Sequence, residues 1–238
     1  MQQDPALRER LYDDVDSLVR AVRNGQPIPS KLRVDYGLPV PEHTAALITA
    51  TAVTSPFANL RPGPILLPIR ATPLPALQAT RSLPGVEPPH AWTGQLLSPT
   101  GSLLDQAVVK RLVYWAQVNG CPVELALATA WRESEMTLHP PRGSSGEIGM
   151  MQILPERARA EGVDASRLKD PEWNMWLGTK LLARYYQQEG SVARAAMMYV
   201  AGPHVFQRTY GPELRTYIAR YSASVDNFAT YFGTYLNF

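Results

Sequence analysis

The sequence predicts a mainly α-helical protein: a helical C-terminal domain over residues 101–238, preceded within residues 1–100 by an N-terminal helix and an extended proline-rich arm. Three observations carry this. Apolar residues recur at three- and four-residue intervals at both ends of the chain. No sustained period-2 alternation appears in the C-terminal half. Fourteen of the 22 prolines fall between Pro27 and Pro99, a density that excludes long helices and central strands.

Residues 4–24 read as the first helix. Asp4 can cap it, Pro5 suits its first turn, and Asn24-Gly25 supplies a stop. Leu7, Leu11, Val15, Leu18, Val19 and Val22 form a stripe at helical spacing, and Arg8, Arg10, Asp13, Asp14 and Asp16 read as a solvated face. Beyond it, between Leu38 and Leu104, only Glu42, Arg61, Arg70, Arg81 and Glu87 are charged. A disordered linker is ordinarily polar and charged, whereas this stretch carries Ile48, Val53, Phe57, Ile65-Leu66-Leu67, Ile69, Leu74, Leu77 and Trp92. An extended segment this apolar is expected to lie on a surface, either its own C-terminal domain or a neighbouring subunit.

Thr100-Gly101-Ser102 opens the helical run. Leu103, Leu104, Ala107, Val108, Leu112, Trp115 and Ala116 make the buried stripe of its first helix, which Asn119-Gly120 ends. A second, almost entirely apolar helix follows from Pro122 to about Glu135. Residues 137–148 are loop, and Pro155 begins a short helix to about Glu161. Asp170 and Pro171 cap a long amphipathic helix with Trp173, Trp176, Leu177, Leu181 and Tyr185 on its inner side. Gly190-Ser191 precedes a helix from Val192 to Val200, and after Ala201-Gly202-Pro203 two or three further helices are expected over 204–236.

Composition narrows the function. The net charge of +2 is too small to argue for nucleic acid, and the arginines (19 of 23 basic residues) form no basic run. Cys121 is the only cysteine, so no intrachain disulfide is possible; its place before Pro122 suits a small buried residue rather than a nucleophile. The histidines at 43, 90, 139 and 204 form no pair at metal-ligand spacing, so no metal or other cofactor is expected. Met1-Gln-Gln-Asp-Pro5 has neither a basic nor an apolar leader region, and no apolar run approaches the length of a membrane span.

The stretch Leu125-Ala-Leu-Ala-Thr-Ala-Trp-Arg-Glu-Ser-Glu135 carries the chemical signal. A helix apolar all round is normally buried, and its first charges after Glu124 come at its far end. A carboxyl held where such a helix meets a groove loses solvation, which raises its pKa and suits it to act as a general acid near neutral pH.

Glu133-Ser134, Gly146-Glu-Ile-Gly-Met-Met-Gln-Ile-Leu-Pro155, Asn174 with Gly178, Tyr199-Val-Ala-Gly-Pro203 and Glu213-Leu-Arg215-Thr-Tyr217-Ile, in this order and at these spacings, resemble the soluble lytic transglycosylase family. That family shares the lysozyme-like fold with goose-type lysozymes. The resemblance covers roughly residues 120–222. It implies that Glu133 is the acid that protonates the leaving glycosidic oxygen and then the base that deprotonates the sugar's own 6-hydroxyl. That hydroxyl closes a 1,6-anhydro ring with neither water nor a second carboxylate. Glu135, about 200° further round a continuing helix, reads as a surface charge.

The same resemblance assigns the binding residues. Ser134 follows the acid, and Gly146 and Gly149 let the backbone turn tightly beside a ligand. Met150, Met151 and Leu154 would wall sugar faces, although the two methionines by spacing suit core packing. Gln152 can both donate to and accept from an N-acetyl group. Tyr199 would set its hydroxyl near Glu133 to orient it and keep it protonated. Two positions depart from the pattern: Val200 replaces the usual Asn after the Tyr, and Glu147 replaces the usual Ala. Chicken-type lysozymes place an acid at the corresponding position, so Glu147 is a candidate second carboxylate for hydrolysis, or else a solvated loop charge.

The function expected is therefore cleavage of the β-1,4 bond between N-acetylmuramic acid and N-acetylglucosamine in peptidoglycan. With no export signal evident and an apolar arm present, the enzyme is expected to be virion-associated, in a phage tail or ejection apparatus, with residues 27–99 contacting protein partners. The alternatives are a hydrolytic lysozyme, a bacterial secretion-system transglycosylase, an endolysin, and a structural virion protein that has lost activity.

Overall fold

The N-terminal stripe folds as α1 (Pro5–Arg23). Gly25, in the left-handed region at φ +59°, ends it, with Gln26 donating back to the carbonyl of Ala21. Leu7, Leu11, Val15 and Leu18 are buried, and so is Asp14, which leaves the expected solvated face. The computed structural model describes residues 5–26, 94–202, 204–205 and 211–236. The proline-rich arm expected within 27–99 falls almost wholly outside these, as does Asp4.

Leu96 is fully enclosed and begins the described C-terminal part. α2 (Gln106–Asn119) starts later than the sequence suggests, because Asp105 caps it by accepting from the amides of Ala107 and Val108. Leu103 therefore lies outside the helix, opposite Leu97 in an isolated bridge, and is 57% exposed. The inward face shifts by one residue, to Val108, Val109, Leu112, Val113, Trp115 and Ala116, while Ala107 faces solvent. Gly120, at φ +66°, turns the chain into α3 (Val123–Ser134). α4 (Pro155–Ala160) is short, a 3-10 turn follows over Ala165–Lys169, and Asp170 caps α5 (Pro171–Glu189) by accepting from the amide of Glu172. α6 (Val192–Ala201) begins at a Ser191 cap.

Of the stretch 204–236, where two or three helices are expected, residues 206–210 lie outside the described residues, and Pro212–Gly233 forms one uninterrupted helix, α7. Pro212 fits its first turn, and no glycine or proline then interrupts the helix before Gly233, so nothing breaks it. Ile218, Tyr221, Ser222, Val225, Asp226, Phe228, Ala229 and Phe232 are all buried.

These seven α-helices share one apolar core that includes the α1 stripe. α7 is its axis, packing against α1, α3 and α6, while α5 packs between α2 and α6. Polar ties fasten α1 to the rest. Arg23 makes two 2.8 Å bonds to the buried Asp226 of α7, Arg194 of α6 holds Asp16, and Tyr12 donates to Glu189. Among the described residues there is no multi-residue strand, and no helix is long and apolar enough to cross a membrane.

Candidate active site

α3 is apolar because it runs through the core: every residue from Leu125 to Ala130 is fully enclosed. It stops abruptly. Glu135 and Met136 both take left-handed φ values (52° and 59°), and their amides donate back to the carbonyls of Trp131 and Ala130. Two consecutive non-glycine residues in that region carry backbone strain. The third described non-glycine residue with positive φ is Gln152, at 45°, in the loop that Ser134 ties to the end of α3. The strain is concentrated around Glu133, on the last turn of α3. Glu135 is exposed, as expected, but because the helix ends before it rather than because the helix turns it away.

The loop beside Glu133 is a tight reversal. Ile148 and Ile153 exchange two 3.0 Å backbone bonds and enclose Gly149-Met150-Met151-Gln152. Four side-chain bonds fix it. Asn174, fully buried on α5, accepts from the Met151 amide (2.7 Å) and donates to the Ile148 carbonyl (2.8 Å). Ser134 Oγ donates to the Met150 carbonyl (2.8 Å), and Tyr199 Oη donates to the Met151 carbonyl (2.7 Å). Gly149 sits at φ +76°, where a Cβ would lie 2.3 Å from Asn174 Nδ2 and 2.8 Å from the Leu168 carbonyl. Gly178 makes room for Met151 in the same way.

This geometry bears on the expected roles of four residues. Met150 and Met151 are fully enclosed and cannot wall a sugar; they lock the loop to the core. Tyr199 is buried, and its hydroxyl bonds the loop backbone while lying within electrostatic reach of Glu133. Ser134 likewise ties the loop to the end of α3. Gln152 and Leu154 keep part of their surface open, with Gln152 Nε2 donating to the Gly149 carbonyl at 2.8 Å.

The hydroxyl on Glu133 belongs to Tyr221 of α7, which donates to Glu133 Oε1 at 2.5 Å. The sequence held a signal for it. Tyr221 lies four residues past Tyr217, one turn on the same face, but that relation is visible only if 212–233 is one helix. Protein crowds Glu133 while part of its surface stays open to solvent. Desolvation pushes its carboxyl up to about 7, and the nearby charge of Glu147 adds to the rise; the Tyr221 hydrogen bond and the cations Arg132 and Arg157 act against it. Burial, reinforced by the Glu133 charge, holds the phenols of Tyr199 and Tyr221 well above their ordinary range, so both remain hydrogen-bond donors.

Glu147 braces its own loop. Its Oε2 accepts from the Ser145 amide at 2.9 Å, and its carbonyl accepts from the Gly143 amide. It packs so closely under Gly143 that a Cβ there would meet both Glu147 and Gln152. The turn after Tyr199, where Val200 replaces the usual amide, is supported from α4: Arg157 Nη1 donates to the Tyr199 carbonyl at 2.6 Å. Among the described residues, no group of three His, Cys, Asp or Glu side chains is placed to hold a metal ion.

The site is thus a single raised carboxyl at the end of a buried helix, beside a loop whose backbone is fixed from that helix and from two others, α5 and α6. Residues 112–213 match the family model described as the transglycosylase SLT domain. No curated protein and no solved structure matches the chain.

Proposed function

We propose, from the premise that residues 112–213 form a transglycosylase SLT domain, that Glu133 is its sole acid and base. The domain is that of peptidoglycan lytic transglycosylases, which cleave the glycan strand without water. Such a reaction asks one group to give a proton to the departing glycosidic oxygen and then take one from the 6-hydroxyl that attacks the anomeric carbon. The Glu133 carboxyl, raised to about 7, supports this reading most strongly. A group half-protonated near neutral pH can serve both steps without a large penalty in either. Tyr221 positions it, and the fixed 148–153 loop lines the place where a sugar would sit.

Glu133→Gln tests the assignment. The variant is expected to fold and to clear no peptidoglycan in a zymogram that the parent protein clears; clearing by the variant at the parental rate would refute it. A hydrolytic reading is favoured by one observation, the electrostatic reach of Glu147 to Glu133. Mass spectrometry of the products separates the two. Anhydro-muramyl ends support transglycosylation, and reducing ends support Glu147-assisted hydrolysis.

We further read residues 27–99 as an assembly element that carries the enzyme in a phage tail or ejection apparatus. Their apolar, proline-rich composition supports this. Deleting 27–93 while keeping 1–26 is expected to abolish co-purification with virions and to leave wall clearing intact. A bacterial secretion machine is the other setting such an arm would suit.

A further inference from the structure

Arg132 is a cation stacked on an aromatic ring beside the acid rather than paired with a carboxylate. Five other arginines (8, 23, 111, 184 and 194) each end on a carboxylate, and Arg157 ends on the Tyr199 carbonyl. Arg132 ends on neither. Its guanidinium lies over the ring of Tyr221, 5.4 Å from the centroid, and within electrostatic reach of Glu133. Among the described residues no hydrogen-bond acceptor meets it.

Consecutive residues on a helix point about 100° apart, so Arg132 and Glu133 are neighbours in sequence without being a hydrogen-bonded pair. A bidentate Arg–Glu pair would hold the carboxyl ionised and silence the acid. The arrangement instead gives the acid a neutral phenol as its partner and places the guanidinium over the ring of that phenol. Stacking restrains the side chain while leaving the edge of its planar fork, with five donors, unfilled. Arg132 is also half-buried, so an acceptor reaching it would bind in partly desolvated surroundings, where charge-assisted pairs are strongest.

We propose that Arg132 is an anion subsite beside the acid, a specificity-determining residue that takes a carboxylate carried by the glycan strand. This rests on the peptidoglycan reading above. On such a strand the carboxylates are those of the peptide stems and, where a stem has been removed, that of the lactyl ether on the muramoyl sugar. A bidentate carboxylate–guanidinium pair would place the strand along the line from Arg132 across Tyr221 to Glu133, fixing which glycosidic oxygen faces the acid.

The test compares kcat/KM of the full chain and of its Arg132→Gln and Arg132→Lys variants. The substrates are intact peptidoglycan, the same material with its carboxylates capped as methylamides, and amidase-stripped strands with the lactyl carboxylate free or capped. The parent protein is expected to prefer free over capped carboxylates by roughly ten- to hundredfold, the worth of a charge-assisted hydrogen bond. That preference should fall toward unity in Arg132→Gln and recover in part in Arg132→Lys. Collapse on the intact pair assigns the stem carboxylate; collapse on the stripped pair assigns the lactyl one. A parent without preference, or a variant that keeps it, overturns the subsite. A parent that cleaves none of the four overturns instead the enzymatic reading on which the proposal rests.

Discussion

Replacing Glu133 by Gln should stabilise the fold in a manner that depends on pH. The folded carboxyl titrates near 7 against an ordinary value of 4.5. Between those values the native state binds more proton than the unfolded chain, so stability falls as pH rises through that window. The contribution is complete below pH 4.5 and lost above pH 7, opposite to the usual carboxylate. At about 1.4 kcal/mol per unit the ceiling is roughly 3 kcal/mol, and the part of Glu133 open to water lowers the expected effect to about 1–3 kcal/mol. Gln is nearly isosteric, keeps an oxygen to accept from Tyr221, and cannot ionise. Urea unfolding of both proteins at intervals from pH 4 to pH 8 should show a stability difference that grows across 4.5–7 in favour of the variant and then levels. A difference that stays constant with pH, or that moves toward the parent as pH rises, would refute the claim that desolvation dominates at Glu133.

Three further outcomes follow from the same geometry. Tyr221→Phe removes a hydrogen bond that favours the ionised carboxyl, so the Glu133-controlled limb of the pH–rate profile should move to higher pH while kcat falls about tenfold or more; an unshifted limb would dissociate Tyr221 from the acid. Gly149→Ala places a Cβ 2.3 Å from Asn174 Nδ2 at a φ of +76°, and should cost about 2–4 kcal/mol with loss of wall clearing, read by denaturation and zymography. Arg23→Ala strips the partner from the buried Asp226. Because Arg23 itself is 56% exposed, the expected loss is about 1–2 kcal/mol rather than the 3–5 of a fully buried pair, and Asp226→Asn in the same background should restore part of it.

The sequence made the helical architecture legible wherever a local signal sat at a boundary: Asp170-Pro171, Gly190-Ser191 and Asn24-Gly25 all mark real helix ends. It failed where the signal was absent or misleading. Leu103 and Leu104 continue the apolar spacing of α2, but the Asp105 cap outweighs spacing, since it satisfies amides that have no other acceptor. The sequence leaves the extent of α7 open, because its mixture of Tyr, Ser, Asn and Arg hides a helix whose buried residues lie on more than one side, toward α1, α3 and α6. The same ambiguity conceals Tyr221. Motif spacing singles out Ser134, Asn174, Gly149 and Tyr199 together while leaving their physics open. In the fold they act on the backbone of one loop, a role no residue-type argument distinguishes from sugar contact.

That the first helix belongs to the same core bears on how the arm can be studied. Four buried side chains on α1, Leu7, Leu11, Val15 and Leu18, correspond to roughly 6–12 kcal/mol of gross apolar burial at about 1.5–3 kcal/mol each. That is comparable with the whole net stability of an ordinary domain. α1 docks on α7, and α7 carries Tyr221 to Glu133; the Arg23–Asp226 bond joins parts of the chain 203 positions apart. Gln26, which bonds back to Ala21, and the buried Leu96 both belong to one folded unit, so the intervening segment is attached to that unit at both ends. Cutting the protein at residue 100 therefore does more than remove an arm. It uncovers the α1 face of α7 and loosens the helix that holds the hydroxyl bonded to the acid. Loss of activity in that truncation would report on α7, whereas an internal deletion of 27–93 that spares α1 reports on the segment itself.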